Sequence, residues 1–169
     1  IPCVDLFEVY ELFINKYSFS SFWEEDNKMS YIALEKCKYL TLEGPNKFKV
    51  AKEFSDENFN NLINLTDESN TSALSKIIYF FSFSENIKKK YSSSDVPGLE
   101  VILPKILIIK NKNKCWLRIN AHVEGKSSLR TLIEELWSIK DEILYSKHQK
   151  SKIGFDYPII NSSELSNNN

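Results

Sequence analysis

The chain has 169 residues, 42% of them hydrophobic, and 22 basic against 23 acidic residues give a formal charge of −1. That length suits one domain with an optional tail and is enough to bury a sizeable core. A near-neutral balance argues against a dedicated nucleic-acid binder, and no apolar run approaches the roughly 20 residues needed to cross a bilayer.

The opening IPCVDLFEVYELF has charges inside its apolar stretch and no basic leader, unlike a signal peptide. Leu6, Val9, Leu12 and Phe13 recur at helical spacing, so Asp5 to about Tyr17 is expected to be a helix capped by Asp5. SFSSFWEED (residues 18–26) reads as a short aromatic strand ending in acids. Tyr31–Glu43 reads as two strands or one bent strand, with Ile32 and Leu34 on one face, Leu40 and Leu42 on another, and a helix as the competing reading. Gly44-Pro45 then breaks the pattern. A helix is expected from Phe48 to about Leu65, with Phe48, Ala51, Leu62 and Ile63 inward, followed by a loop over Asp67–Ser75.

KIIYFFSFS (residues 76–84) reads as the clearest buried strand. Ile77, Tyr79, Phe81 and Phe83 share one face; Ile78 and Phe80 start the other. Lys88–Gly98 is a polar loop. Leu103–Val123 is then a β-hairpin. Ile106 to Ile109 are apolar on both faces, as in a covered central strand, and Asn111-Lys112-Asn113 makes the tip because asparagine tolerates the left-handed conformation. In the return strand Cys115, Leu117, Ile119 and Ala121 face one way, while Trp116, Arg118, Asn120 and His122 form a partly solvated face. Lys126–Ser146 is the best helix, with Leu129, Leu132, Ile133, Leu136, Ile139, Ile143 and Leu144 in one apolar stripe. The expected division is a folded region over 1–147 and a linker or tail over 148–169.

Candidate chemistry is sparse. Cys3, Cys37 and Cys115 are widely spaced and form no metal-like pair, so they read as small buried hydrophobes in a reducing compartment, the cytoplasm. The two histidines, His122 and His148, have no Ser-His-Asp or zinc set around them, and His122 reads as an ordinary strand residue. Acids cluster at Glu24, Glu25 and Asp26 and again at Glu134, Glu135, Asp141 and Glu142. The second set lies mostly off the apolar stripe and reads as a solvated helix face; a metal would need acids from another element as well. Lys88-Lys89-Lys90 beside Tyr91 reads as a solvated loop, and the four glycines are isolated, so no phosphate loop is present. The residues alone describe an α+β scaffold, a largely antiparallel sheet with packed helices, and no active site.

Several signatures in order resemble the chorismate-utilising enzymes, and the N-terminal half of the isochorismate synthases in particular. That group also includes the anthranilate, aminodeoxychorismate and salicylate synthases. Ser21-Phe22-Trp23-Glu24 followed by Tyr31-Ile32-Ala33-Leu34 looks like the family's aromatic strand and its partner. Phe48 stands where the family places a phenylalanine, and Phe81-Ser82-Phe83 resembles its aromatic-x-Phe strand. Leu103-Pro104 with KILIIKNKNKCWLRIN is similar to its leucine-proline strand and hairpin return. The resemblance covers about Phe19 to Leu144. Two positions depart from it: Tyr79-Phe80 stand where a glycine pair is usual, and Glu35 where a glycine is common. Both add bulk where backbones would pack closely.

The resemblance implies conversion of chorismate to isochorismate on a menaquinone, phylloquinone or siderophore/salicylate route. Water adds at one ring carbon while a hydroxyl leaves another, which requires a base, an acid and, in the family, Mg²⁺. The family's lysine base, glutamate acid and metal-binding glutamates lie in its C-terminal half. No catalytic, cofactor-binding or metal residue therefore carries over to this chain, which is expected to be inactive alone. The implied partners are chorismate, through that half, and the C-terminal half of the same protein, with neither nucleic acid nor membrane. The start at Ile1 and the close on SELSNNN fit a piece of a longer protein, and equally an engineered or processed terminus. The alternative is a stand-alone non-catalytic scaffold or regulatory domain of the same ancestry. A nucleic-acid binder using Trp116, Arg118 and the hairpin lysines is a third, disfavoured by charge.

Overall fold

A computed structural model describes residues 1–25, 29–65, 73–82, 98–123 and 125–150. Its elements are α1 (Leu6–Phe13), β1 (Ser20–Trp23), β2 (Met29–Leu42), α2 (Lys47–Asn60), β3 (Ile78–Phe81), β4 (Leu99–Asn111), β5 (Lys114–Ile119) and α3 (Lys126–Lys150). The strands form one antiparallel sheet in the order β1-β2-β4-β3, with β5 also paired to β4. The expected α+β architecture holds.

β2 and β4 are the spine. Ile106 to Ile109 are fully buried, apolar on both faces as in a strand covered on two sides. β2 is one bent strand. Its register against β4 slips between Lys36 and Lys38, where β2 has one more residue than its partner. Glu35, just before the slip, has φ 55, the left-handed conformation that glycine adopts freely. Pro104 pairs with Lys36 at the edge of this bulge, which is where a strand tolerates a residue without an N–H.

One sheet face carries Ile32, Leu34, Ile106, Ile108 and Cys115. Leu6, Val9 and Phe13 of α1 and Ile139 and Ile143 of α3 cover it. Phe13 and Ile143 are almost fully buried, worth about 1.5–3 kcal/mol each relative to exposure. Asp5 caps α1, its Oδ1 accepting from the N–H of Phe7 (2.9 Å) and Glu8 (3.1 Å). The helix ends at Phe13, four residues short of expectation, but Tyr17 still packs on the Phe13 ring. On the other face lie Ala33, Ile78, Leu107 and Ile109, with Trp116 against them. Farther along β4, Leu99 and Val101 alternate onto that same face and meet Ala51 of α2.

Four expectations are corrected. In α2 the inward residues are Lys47, Ala51, Ser55 and Asn58, whereas Phe48 is 56% and Ile63 84% exposed. Small residues let the helix backbone approach the sheet, and the Ser55 and Asn58 side chains are satisfied by the carbonyls of Ala51 and Phe54. β3 is not a buried strand: it pairs only with β4 among the described strands, and Tyr79, Phe80 and Phe81 are 40–51% exposed. At the sheet edge the strand has no described neighbour on its outer side, which leaves aromatic side chains on both of its faces part-exposed. The hairpin tip is the two-residue turn Lys112-Asn113 between paired Asn111 and Lys114, and its left-handed residue is Lys112 (φ 53) rather than an asparagine. The stripe of α3 is buried only at Ile139 and Ile143. Leu129, Ile133 and Trp137 are exposed, whereas Leu132 and Leu136 are half-buried. The helix also runs to Lys150, past its expected end at Ser146. The expected loop at 88–97, Phe83, and the tail from 151 lie outside the described residues.

Candidate functional site

β5 and β3 lie end to end along one edge of β4, β5 on Ile106–Asn111 and β3 on Leu99–Ile102. At the seam between them, residues 103–105 of β4 have no strand partner on that side. Asn120, one residue past β5, fills this gap. Its N–H donates to the Lys105 carbonyl (2.7 Å) and its Nδ2 to the Pro104 carbonyl (2.8 Å). A side-chain amide thus supplies the pairing that a strand would otherwise give.

Arg118 stands two residues earlier, on the same side of β5, opposite Leu107. Sequence reasoning put Arg118 and Asn120 on a partly solvated face; they are 9% and 3% exposed. The guanidinium fans out over three acceptors. Nε donates to Asn120 Oδ1 (3.1 Å), Nη1 to the Ala73 carbonyl (2.9 Å) and Nη2 to Asn64 Oδ1 (3.0 Å). Ser75 Oγ also donates to Asn120 Oδ1. The planar fork suits this, since its donors point in fixed, diverging directions. Burial pulls the Arg118 pKa down from its ordinary value, since desolvation disfavours the charged form. Among the described residues its hydrogen-bond acceptors are all neutral oxygens, and no buried side-chain nitrogen or oxygen is left unsatisfied. The network ties the connection after α2 to the sheet. The alternation of polar residues in β5 was the visible signal, and it was misread because a polar face can be buried when its groups satisfy one another. A buried Arg118 is also withdrawn from any phosphate backbone.

The predicted acids do not converge. Glu134 is paired with Arg130 (2.9 Å), Glu135 with Lys105 (2.7 Å) and Glu142 with Lys16. Glu24, Glu25 and Asp141 are exposed, and Asp26 lies outside the described residues. Glu135 and Glu35, with burial the larger cause, raise the Tyr17 phenol above its usual value. Glu35 accepts from Ser18 Oγ (2.9 Å) and the Lys36 N–H (3.2 Å), and the Ser18 bond chiefly holds its carboxyl below the ordinary range. Among the described residues no group of three or more His, Cys, Asp or Glu could hold a metal ion. The Mg²⁺ implied by the resemblance therefore finds no fitting ligand set among them: three of the four α3 acids already face basic side chains. His122 is exposed; the side chain of His148 and residues 88–91 lie outside the described set. Of the cysteines only Cys115 is buried. Cys3 is exposed and Cys37 intermediate, which corrects the expectation of three buried thiols. Among the described residues no helix is long and apolar enough to cross a membrane.

An antiparallel sheet with helices packed on both faces defines an α+β fold. The chain belongs to the chorismate binding enzyme family, whose model matches residues 1–169. No curated protein and no solved structure matches it.

Proposed function

We propose that this chain is the non-catalytic scaffold portion of an isochorismate synthase-like enzyme that converts chorismate to isochorismate. The observation that carries the reading is the family match over residues 1–169. Of the signatures that resemble the chorismate-utilising enzymes, those with described residues fall on β1, β2, α2 (Phe48), the end of β3 (Phe81) and the β4–β5 hairpin. In this reading the base, the acid and the Mg²⁺ ligands come from a C-terminal half of the same protein, because no family motif for them falls on any position of this chain. The surface supports a scaffold role. Leu129, Ile133 and Trp137 line one exposed apolar strip of α3, and Tyr79, Phe80 and Phe81 another along β3. Apolar exposure of this kind marks places where further protein packs.

The test is turnover. Residues 1–169 with chorismate and Mg²⁺ are expected to form no isochorismate. The same residues expressed with any coding sequence that continues their natural reading frame are expected to form it. Turnover by residues 1–169 alone overturns the scaffold assignment. Anthranilate or aminodeoxychorismate as the product of the longer protein, with ammonia supplied, overturns the assignment to isochorismate.

A further inference from the structure

The segment before α1 runs along β5. Val4 is buried in the same cluster as Cys115, Ile1 packs against that cluster, and the Ile1 nitrogen donates to the Cys115 carbonyl at 3.2 Å. Two contacts converge on the Cys115 sulfur: the Val4 backbone N–H and the Cys3 thiol, which is hydrogen-bonded to it. Two thiols far apart in sequence are therefore adjacent, one exposed and one buried.

We propose that Cys3 and Cys115 are a redox pair that closes into a reversible disulfide under a peroxide-class oxidant. Cys3 is the exposed thiol, so the oxidant meets it first. Its sulfur takes one oxygen from the peroxide, giving a sulfenic acid and water. The Cys115 sulfur then attacks the Cys3 sulfur; the S–S bond forms, the S–O bond breaks, and the hydroxyl leaves as water with the Cys115 proton. Each sulfur loses one electron overall, and the peroxide is reduced by two. A dithiol reductant reverses the step through a mixed disulfide. The thiolate is the attacking species and burial holds the Cys115 thiol above its ordinary pKa, so the adjacency of the two sulfurs, not an activated thiolate, drives the closure. The disulfide would join the start of the chain to β5 and restrain α1 over the sheet face it covers. It would also cross-link a long loop of the unfolded chain, which raises stability.

The experiment treats the full chain with hydrogen peroxide and then blocks remaining thiols. One alkylated cysteine, Cys37, is expected in place of three, with a mass about 2 Da lower before alkylation and a Cys3–Cys115 linked peptide released by dithiothreitol. The thermal midpoint is expected to rise on oxidation and to return on reduction. Cys37→Ser should leave all of this unchanged, and Cys3→Ser, at an exposed position, should abolish the intramolecular link without unfolding the protein. Three alkylatable thiols after treatment, a stable sulfinic acid at Cys3, a link to Cys37, or only intermolecular dimers through Cys3 would each overturn the proposal.

Discussion

Replacing Arg118 with alanine tests the main polar feature of the fold. The substitution removes the donors to Asn120 Oδ1, Asn64 Oδ1 and the Ala73 carbonyl. Each hydrogen bond lost is worth about 1 kcal/mol net, so three give about 3 kcal/mol, although Asn120 Oδ1 keeps Ser75 as a donor. The vacated volume adds to this, whereas the relieved desolvation of a buried cation subtracts from it. For a domain of this size 3 kcal/mol corresponds to a fall in Tm of about 6–12 °C. Arg118→Lys separates charge from shape. An ammonium is a compact, strongly hydrated point charge and cannot span three diverging acceptors, so it is expected to destabilise at least as much as alanine. Urea unfolding with an unchanged m-value, followed by tryptophan fluorescence, reads both variants. The reasoning fails if Arg118→Ala lies within about 1 kcal/mol of the parent, or if Arg118→Lys matches the parent.

The φ of 55 at Glu35 predicts an inverted substitution order: Glu35→Gly should be more stable than Glu35→Ala by about 1 kcal/mol, whereas glycine is ordinarily the worse residue in a strand. Denaturant titration of the pair decides it, and equal stabilities would count against the left-handed backbone. The Glu35 carboxyl titrates below its ordinary 4.5, so its stabilising contribution is full above that value and is lost as pH falls through the lower folded-state pKa. Glu35→Gln should therefore flatten the loss of stability between about pH 5 and pH 3, by a small amount because the group is only partly buried; an unchanged acid limb would sink this. In α2, Ala51→Leu should cost about 1–3 kcal/mol by overpacking against Leu99 and Val101. Phe48→Lys should change stability by no more than about 0.5 kcal/mol, and a larger loss by thermal melt would restore Phe48 to the core.

The parts of the fold that were legible in the sequence share one property: their burial is decided locally. Ile106 to Ile109 are apolar on both faces whatever surrounds them, and Leu6, Val9 and Phe13 cover one face of a helix beside a capping aspartate. Misread elements depend on what lies beside them. Ile78 to Phe81 have the composition of a central strand, yet their place at the edge of β4 exposes Tyr79 and Phe81. Leu129 and Ile133 lie on the outer side of a stripe whose Leu132 and Leu136 are half-buried and whose Ile139 and Ile143 are buried, so one periodicity gives three degrees of burial. Arg118 is the inverse case. Its charge reads as surface, and only the meeting of Asn64, Ala73 and Asn120, separated along the chain, makes burial tolerable. Glu35 sits between these cases. The family resemblance marks its position as one where glycine is common, and the backbone shows why. The constraint is the left-handed φ beside a bulge rather than crowding at the side chain, since Glu35 is half-exposed and bonded to Ser18. Glu35 thus holds a backbone conformation that glycine adopts freely, and its hydrogen bonds with Ser18 and the Lys36 N–H offset part of the strain.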